Sequence, residues 1–285
     1  MMVSSRIFGI TVNGVKTDGF VPYADMLNHR RPRQTTWYYS DEREGFVIEA
    51  CDDIPRGAQV YDSYGRKCNS RFFLNYGFIN QPNDANEVPI IVHLNKEKDP
   101  NAFDIKMNLI NEKQPFKKFR VVDNLEEKVM HDFLSWIRYV EYDEDMAQLY
   151  LYKNEAIIEA QKKKKQYNDS DSDDNQDIKD VFKGTNLKVI STKNELKVWN
   201  RVIQLVEESL SKYDTDLETD NMLLEKDDEE HNLTSNERNC LLYRQGEKII
   251  LHFLREAATQ IIPLITMSYR DARKEVTKYK NFGPC

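Results

Sequence analysis

The hydrophobic period of this chain changes once, near residue 95, and that change limits the fold more than any other feature. Before it, short β-prone runs alternate with turn signals. Asn13-Gly14 lies between Thr11-Val12 and Val15, a tight-turn dipeptide with β-prone flanks. The apolar stretch from Val3 to Ile10 suits either a helix end or a strand. Thr35 to Tyr39 is β-branched and aromatic, Asp41 to Gly45 breaks it, and Phe46 to Ala50 resumes, which predicts a hairpin. Ile54-Pro55-Arg56-Gly57 reads as a turn into a strand from Gln59 to Gly65. No strand–helix–strand rhythm appears, so a parallel open sheet is not expected.

Beyond a mixed connector the period becomes helical. Leu125, Val129, Phe133, Trp136 and Val140 recur at helical spacing, and Leu196, Trp199, Ile203, Val206 and Leu210 do so more regularly. Thr215 to Glu218 and Thr234 to Glu237 both fit the capping-box pattern. The second box predicts a long helix through Leu242, Ile249, Ile250, Phe253, Leu254 and Ala257, bounded near Pro263 and packed on the helix around Trp199. Between 162 and 180, four lysines precede an Asp-Ser run without apolar anchors, which reads as a disordered acidic insertion. The fold class expected is therefore α+β: a β-rich part over 1–90, then a mostly α-helical domain over 95–275.

Composition removes several functions. The net charge of −7 argues against a general nucleic-acid binder. No unbroken run of eighteen apolar residues is present, so neither a membrane span nor a membrane partner is expected, and the N-terminus has no secretory pattern. The cysteines Cys51, Cys68, Cys240 and Cys285 form no CxxC pair, and the five histidines are scattered. No metal site is expected, and a reducing compartment, cytoplasmic or nuclear, fits best.

Two segments concentrate chemistry: Val21 to His29, with Asp25-Met26-Leu27-Asn28-His29, and Gly57 to Phe78, with Tyr61-Asp62-Ser63-Tyr64-Gly65 and Tyr76-Gly77-Phe78. Taken singly, Asn28-His29 would serve equally to end a strand, and Tyr61 and Tyr64 to face both sides of one. Arg30-Arg31-Pro32-Arg33 reads as a solvated basic loop or as a contact for an acidic substrate segment.

Together, and in this order, the segments resemble the C-terminal half of a SET domain. The resemblance is to the branch of the RuBisCO large-subunit lysine methyltransferase and the actin-histidine methyltransferase. The helical half resembles that branch's substrate-binding domain at Tyr213, Leu217, Glu218, Asp220, Leu223 and Leu224, and again at Arg238, Arg244, Glu247, Lys248 and Leu251. The resemblance implies an S-adenosylmethionine-dependent enzyme that methylates a lysine side chain of a protein substrate. It implies cofactor contacts at Arg6, Asp25, Met26, Leu27, Asn28, His29, Tyr76 and Phe78, and a catalytic role for Tyr64. A phenol with a pKa near 10 positions groups rather than acting as a strong base, and Tyr61, Tyr76 and Phe78 are expected to cluster around it.

Family members also carry a Glu-Gly-x-Gly-type loop that this sequence lacks. The expectation is therefore a SET domain without its N-terminal part, with unpaired strand edges and exposed apolar faces. Two alternatives stand beside the lysine reading: a non-catalytic protein-interaction module, and a histidine-directed methyltransferase.

Overall fold

A computed structural model describes residues 5–97, 99–110, 114–152, 159 and 187–280. The acidic run expected over 162–180 lies outside the described residues. The fold class is α+β, and the chain divides into two compact units: Met1–Asn86 with Asn232–Tyr243, and Glu87–His231 with Arg244–Cys285.

In the first unit β1 (Ile7–Val12) and β2 (Val15–Phe20) pair antiparallel, so the apolar stretch before Asn13 is a strand. Asn13 and Gly14 take φ values of 48° and 77°, the two positive φ angles that match a tight turn to strand twist. A Cβ at Gly14 would meet nothing within 4 Å, so only backbone strain opposes a side chain there. Gly14→Ala is expected to cost about 1–2 kcal/mol, read from the urea midpoint, with no change in the hairpin's far-ultraviolet signature.

The second expected hairpin forms from β4 (Thr35–Ser40) and β5 (Gly45–Ala50), and Cys51 N–H closes its base on the Gln34 carbonyl at 2.9 Å. Phe8 ties the two hairpins together, with its ring edge-on to Trp37 and Phe46 at 5.2 and 5.3 Å. Between the hairpins a 3-10 turn (Ala24–Met26) leads into the two-residue strand β3 (Asn28–His29).

The strand expected from Gln59 to Gly65 shrinks to β6 (Tyr61–Asp62), which runs parallel to β3. Its backbone is engaged by side chains instead of a longer ladder. Tyr61 N–H donates to Gln34 Oε1, and the Tyr61 carbonyl accepts from Thr35 Oγ1. Gly65, at φ 92°, then turns the chain out of extended geometry. Helix α1 (Asn69–Tyr76) follows and stops at Gly77, φ 79°, whose N–H caps the Phe72 and Phe73 carbonyls. Tyr23, Met26, Phe20 and Leu74 are exposed in this unit, and each of its sheets is two-stranded.

The second unit opens with an element that the sequence reading leaves as connector. β7 (Val88–His93) pairs antiparallel with β8 (Phe116–Val121), and α2 (Pro100–Ile110) lies between them in sequence. Val88, Ile90 and Val92 face a core shared with α3 (Lys128–Val140) and α5 (Thr192–Leu210), while α4 is described over 144–152. Trp136, fully buried, donates its indole N–H to the Val92 carbonyl at 3.2 Å. Arg138 grips Glu195 through Nε and Nη2 at 2.5 and 3.0 Å, and so fastens α3 to α5.

The buried seam of α5 is Asn194, Glu195, Val198, Trp199, Val202, Leu205 and Val206, rotated from the expected stripe. Leu196, Ile203 and Leu210 lie at its margin. α6 (Leu217–Glu230) starts one residue later than its expected box, because Asp216, not Thr215, caps it by accepting from Thr219 N–H at 2.8 Å. The Thr234 box forms as read: Glu237 N–H donates to Thr234 Oγ1 and Thr234 N–H to Glu237 Oε2.

The helix that this box opens, α7 (Ser235–Thr266), passes through Pro263 instead of ending there, and α8 (Tyr269–Lys280) follows. Ile261, Ile262 and Ile265 pack against the core and outweigh the one amide donor that proline removes in the last turn. Contrary to the sequence expectation, α7 is long and apolar enough to cross a membrane by length and composition. Here its Ile250, Leu251, Leu254 and Ala258 sit in the same core as Trp199.

Candidate functional site

The parallel ladder of β3 and β6 does the assembling. It sets Asn28 beside Tyr61 and His29 beside Asp62, which brings Tyr64 against β3 two residues later. Tyr64 is then held at three points. Its N–H donates to His29 Nδ1 at 3.0 Å, its hydroxyl donates to the Leu27 carbonyl at 2.6 Å, and its carbonyl accepts from the Lys67 ammonium. Because Nδ1 accepts, the neutral imidazole carries its proton on Nε2, which is sealed from solvent and has no partner among the described residues.

Ring packing completes the floor. Tyr64 stacks on Tyr76 with centroids 4.7 Å apart and meets Phe78 edge-on at 6.3 Å. His29 lies 4.7 Å from Phe72, which stacks on Phe78 at 5.1 Å. Tyr76 and Phe78 reach this cluster because Gly77 reverses the chain between them. Asn69 holds the loop behind it: its Oδ1 accepts from Asn80 N–H at 3.1 Å and from Asn83 Nδ2 at 2.8 Å.

The electrostatics favour neutral groups. Burial pushes the Tyr64 phenol above its usual value, with the Asp62 and Tyr76 charges adding to it, so the hydroxyl stays a donor at neutral pH. Burial, then Asp62, raises Tyr76 likewise. Burial lowers His29, and the Arg31 and Lys67 charges lower it further against the opposing pull of Asp62. Burial, then the Arg71 charge, lowers Lys67.

The remaining residues named from the sequence form a second group joined to the first through Leu27. Arg6 Nη1 contacts the Asp25 carbonyl at 3.1 Å, Asp25 Oδ2 at 3.0 Å and Met26 Sδ at 3.7 Å. These contacts all use one nitrogen, so most of the guanidinium fork is uncommitted among the described residues. Asn28 and Met26 are exposed, and Leu27 is half-buried between the two groups. Of the nine residues named from the sequence, His29, Tyr64, Tyr76 and Phe78 share the ring cluster, Leu27 meets it through its carbonyl, Asn28 pairs with Tyr61 in the ladder, and Arg6, Asp25 and Met26 form the second group.

Tyr61 is the exception to the expected aromatic cluster. Its ring carries the Arg30 guanidinium at 5.7 Å and takes no part in the Tyr64 stack. Residue reading also missed Lys67, Asp62 and Phe72. Only the position of Lys67, one turn beyond Tyr64, signals its role. Asp62 and Phe72 show no period that separates them from core residues.

Known proteins share sequence and fold with this chain. The chain is 26% identical over 236 residues to the actin-histidine N-methyltransferase of Gallus gallus, covering 82% of this chain and 35% of that protein. It is 26% identical over 241 residues to the N-lysine methyltransferase setd6 of Danio rerio, covering 83% of this chain and 50% of that protein. The chain therefore spans a third to a half of the length of these curated relatives. Among solved structures, Rubisco LSMT bound to AdoMet superposes with a TM-score of 0.63 at 21% identity, covering 100% of this chain and 58% of that one. The SET domain of LSMT bound to methyl-lysine and AdoHcy gives a TM-score of 0.62 at 20% identity, covering 99% and 58%. The fold of this chain is the fold of those SET-domain structures. A family model described as Rubisco LSMT substrate-binding matches residues 100–251, over half of the sequence, and the chain belongs to that family.

Proposed function

We propose that this chain carries the cofactor and methyl-transfer site of an S-adenosylmethionine-dependent protein methyltransferase acting on a lysine side chain. The observation that carries the reading is the three-point clamp on Tyr64, with its hydroxyl fixed on the Leu27 carbonyl between His29 and the Tyr76 ring. The residues present fit the cofactor. Arg6, with most of its fork uncommitted, suits a carboxylate. The faces of Tyr64, Tyr76 and Phe78 suit a sulfonium cation. When bound, the cofactor supplies an electrophilic methyl group on a sulfonium.

The chain's own residues would do the rest. An acceptor lysine, with a pKa of about 10.4, must lose a proton before it can attack. Exclusion of water from a narrow channel disfavours the charged amine and lowers that pKa. The Tyr64 hydroxyl, kept protonated and oriented, would align the amine with the methyl carbon. In-line displacement depends largely on that alignment and on excluding water.

A histidine acceptor is the second reading. It is favoured by the likeness to the actin-histidine N-methyltransferase of Gallus gallus, whereas the likeness to setd6 favours lysine. The same exclusion of water serves either neutral nitrogen.

The first test is calorimetric titration of S-adenosylhomocysteine into the chain. Binding is expected for the wild type, weakened about tenfold, or about 1.4 kcal/mol, in Asn28→Ala. No binding by a folded wild type would overturn the reading in favour of an interaction module. Methyl incorporation into actin, compared with lysine-bearing peptides, then separates the two acceptors.

A further inference from the structure

We propose that the open cavity beside His29 binds the carboxylates of an acidic peptide segment. It is a recess of about 670 Å³ within the first unit, lined by His29, Arg30, Arg31, Tyr61, Asn80, Gln81, Asp84 and two prolines. Its charges do not balance. Asp84 is held by both terminal nitrogens of Arg31, one at 3.2 Å, and faces Arg66 Nε at 3.6 Å. The hydrogen bond from Arg31 keeps the Asp84 carboxyl below its usual range, so one carboxylate meets two guanidinium groups. Arg30 adds a third. It is exposed, lies over the Tyr61 ring at 5.7 Å, and has no carboxylate partner among the described residues. His29 contributes no charge at neutral pH, because its ordinary pKa of 6.5 is lowered.

A chain of net charge −7 thus carries a local surplus of positive charge in a recess, on the basic run Arg30-Arg31-Pro32-Arg33, which the catalytic reading does not use. Stacking on Tyr61 orders the Arg30 guanidinium while leaving its N–H edge for hydrogen bonding, the arrangement in which arginine takes a carboxylate bidentately. The surplus is small and confined to one recess. That suits one or two acidic side chains and not a phosphate backbone, which needs an extended basic stripe and would be repelled by the rest of the chain. If the proposed function holds, the segment belongs to the protein substrate, flanking its acceptor residue; that assignment rests on the proposed function, the recess does not.

The test is fluorescence anisotropy with labelled octaglutamate at low salt. Wild type should bind octaglutamate and ignore octaglutamine. Arg30→Ala should weaken binding about tenfold, and Arg30→Glu should weaken it further. Among the described residues the Arg30 guanidinium meets the face of Tyr61, and the Arg30 N–H bond to the Asp62 carbonyl is backbone and survives substitution, so thermal unfolding of both variants should match wild type. Absence of octaglutamate binding, affinity unchanged in Arg30→Glu, or tighter binding of a single-stranded oligonucleotide would each overturn the proposal. S-adenosylhomocysteine titrated into the same proteins separates the two ideas. Cofactor binding without octaglutamate binding sinks the recess and leaves the methyltransferase reading. Octaglutamate binding without cofactor binding supports the recess and sinks that reading.

Discussion

Asp220→Ala is expected to remove about 3–5 kcal/mol of stability, the range for breaking a buried ion pair from one side. Asp220 is 0% exposed and Lys248 1%. Their Oδ2 and Nζ atoms lie 2.5 Å apart, while Oδ1 accepts from Arg244 Nη2 at 2.6 Å, Arg244 Nε at 2.9 Å and Thr215 Oγ1 at 2.7 Å. Burial alone would raise the Asp220 carboxyl. The hydrogen bonds from Lys248, Arg244 and Thr215 outweigh it and hold the group below its usual range. Lys248 also donates to Thr215 Oγ1 and the Asp216 carbonyl, both at 3.1 Å, and lies 5.2 Å over the Tyr213 ring.

Removing the carboxylate leaves that ammonium sealed in the protein without its counter-charge, which is the source of the large cost. Lys248→Met in the Asp220→Ala background should therefore recover stability, with a coupling of about 0.5–3 kcal/mol in a double-mutant cycle. Urea unfolding of the four proteins measures it. A loss below about 1 kcal/mol in Asp220→Ala would show that the network does not hold α6 to α7.

Tyr64→Phe is the second large effect, and it should fall mainly on rate. The change removes one donor, the 2.6 Å bond to the Leu27 carbonyl, and keeps the ring stacked on Tyr76. Stability should shift by about 1 kcal/mol, and cofactor affinity should change little. Methyl transfer should fall about a hundredfold, the penalty for a misplaced reacting group in an alignment-limited step. Incorporation of labelled methyl into the acceptor found by the actin and peptide comparison reads the rate, with calorimetry as the control. The Tyr64 phenol titrates above its ordinary 10.0, so ionisation of this group should cause no loss of wild-type rate below that pH. A variant that transfers methyl at the wild-type rate would remove Tyr64 from the chemistry.

What could be read from the sequence divides by range. Asn13-Gly14 and the Thr234–Glu237 box are local devices, completed within four residues, and both form where read. The α5 stripe is legible but misphased. Three- and four-residue spacing admits neighbouring seams, and the polar Glu195 is buried against Arg138, which reaches it from α3. The β7–β8 hairpin escaped because α2 separates its strands, and no turn dipeptide marks it. The site was legible only as a resemblance. Asn28 and Tyr64 meet through a two-residue parallel ladder that no propensity announces, and Lys67 and Asp62 acquire their roles only once that ladder forms.

The ladder also bears on how freely such a chain can diverge. Between β3 and β6 the backbone leaves at Gln34, runs out through β4 and β5, and returns at Cys51, which bonds back to its point of departure. The excursion is closed at its own base, so its length is uncoupled from the residues that it brings together. Doubling such a loop costs roughly 0.6 kcal/mol in closure entropy. Descendants of this sequence can therefore lengthen or redecorate the tip around Glu42 to Glu44, beyond the Asp41 carboxylate that accepts from Asn13 N–H, while Asn28, His29 and Tyr64 stay in place, which makes the hairpin a place for new specificity to be tried at little risk to the site.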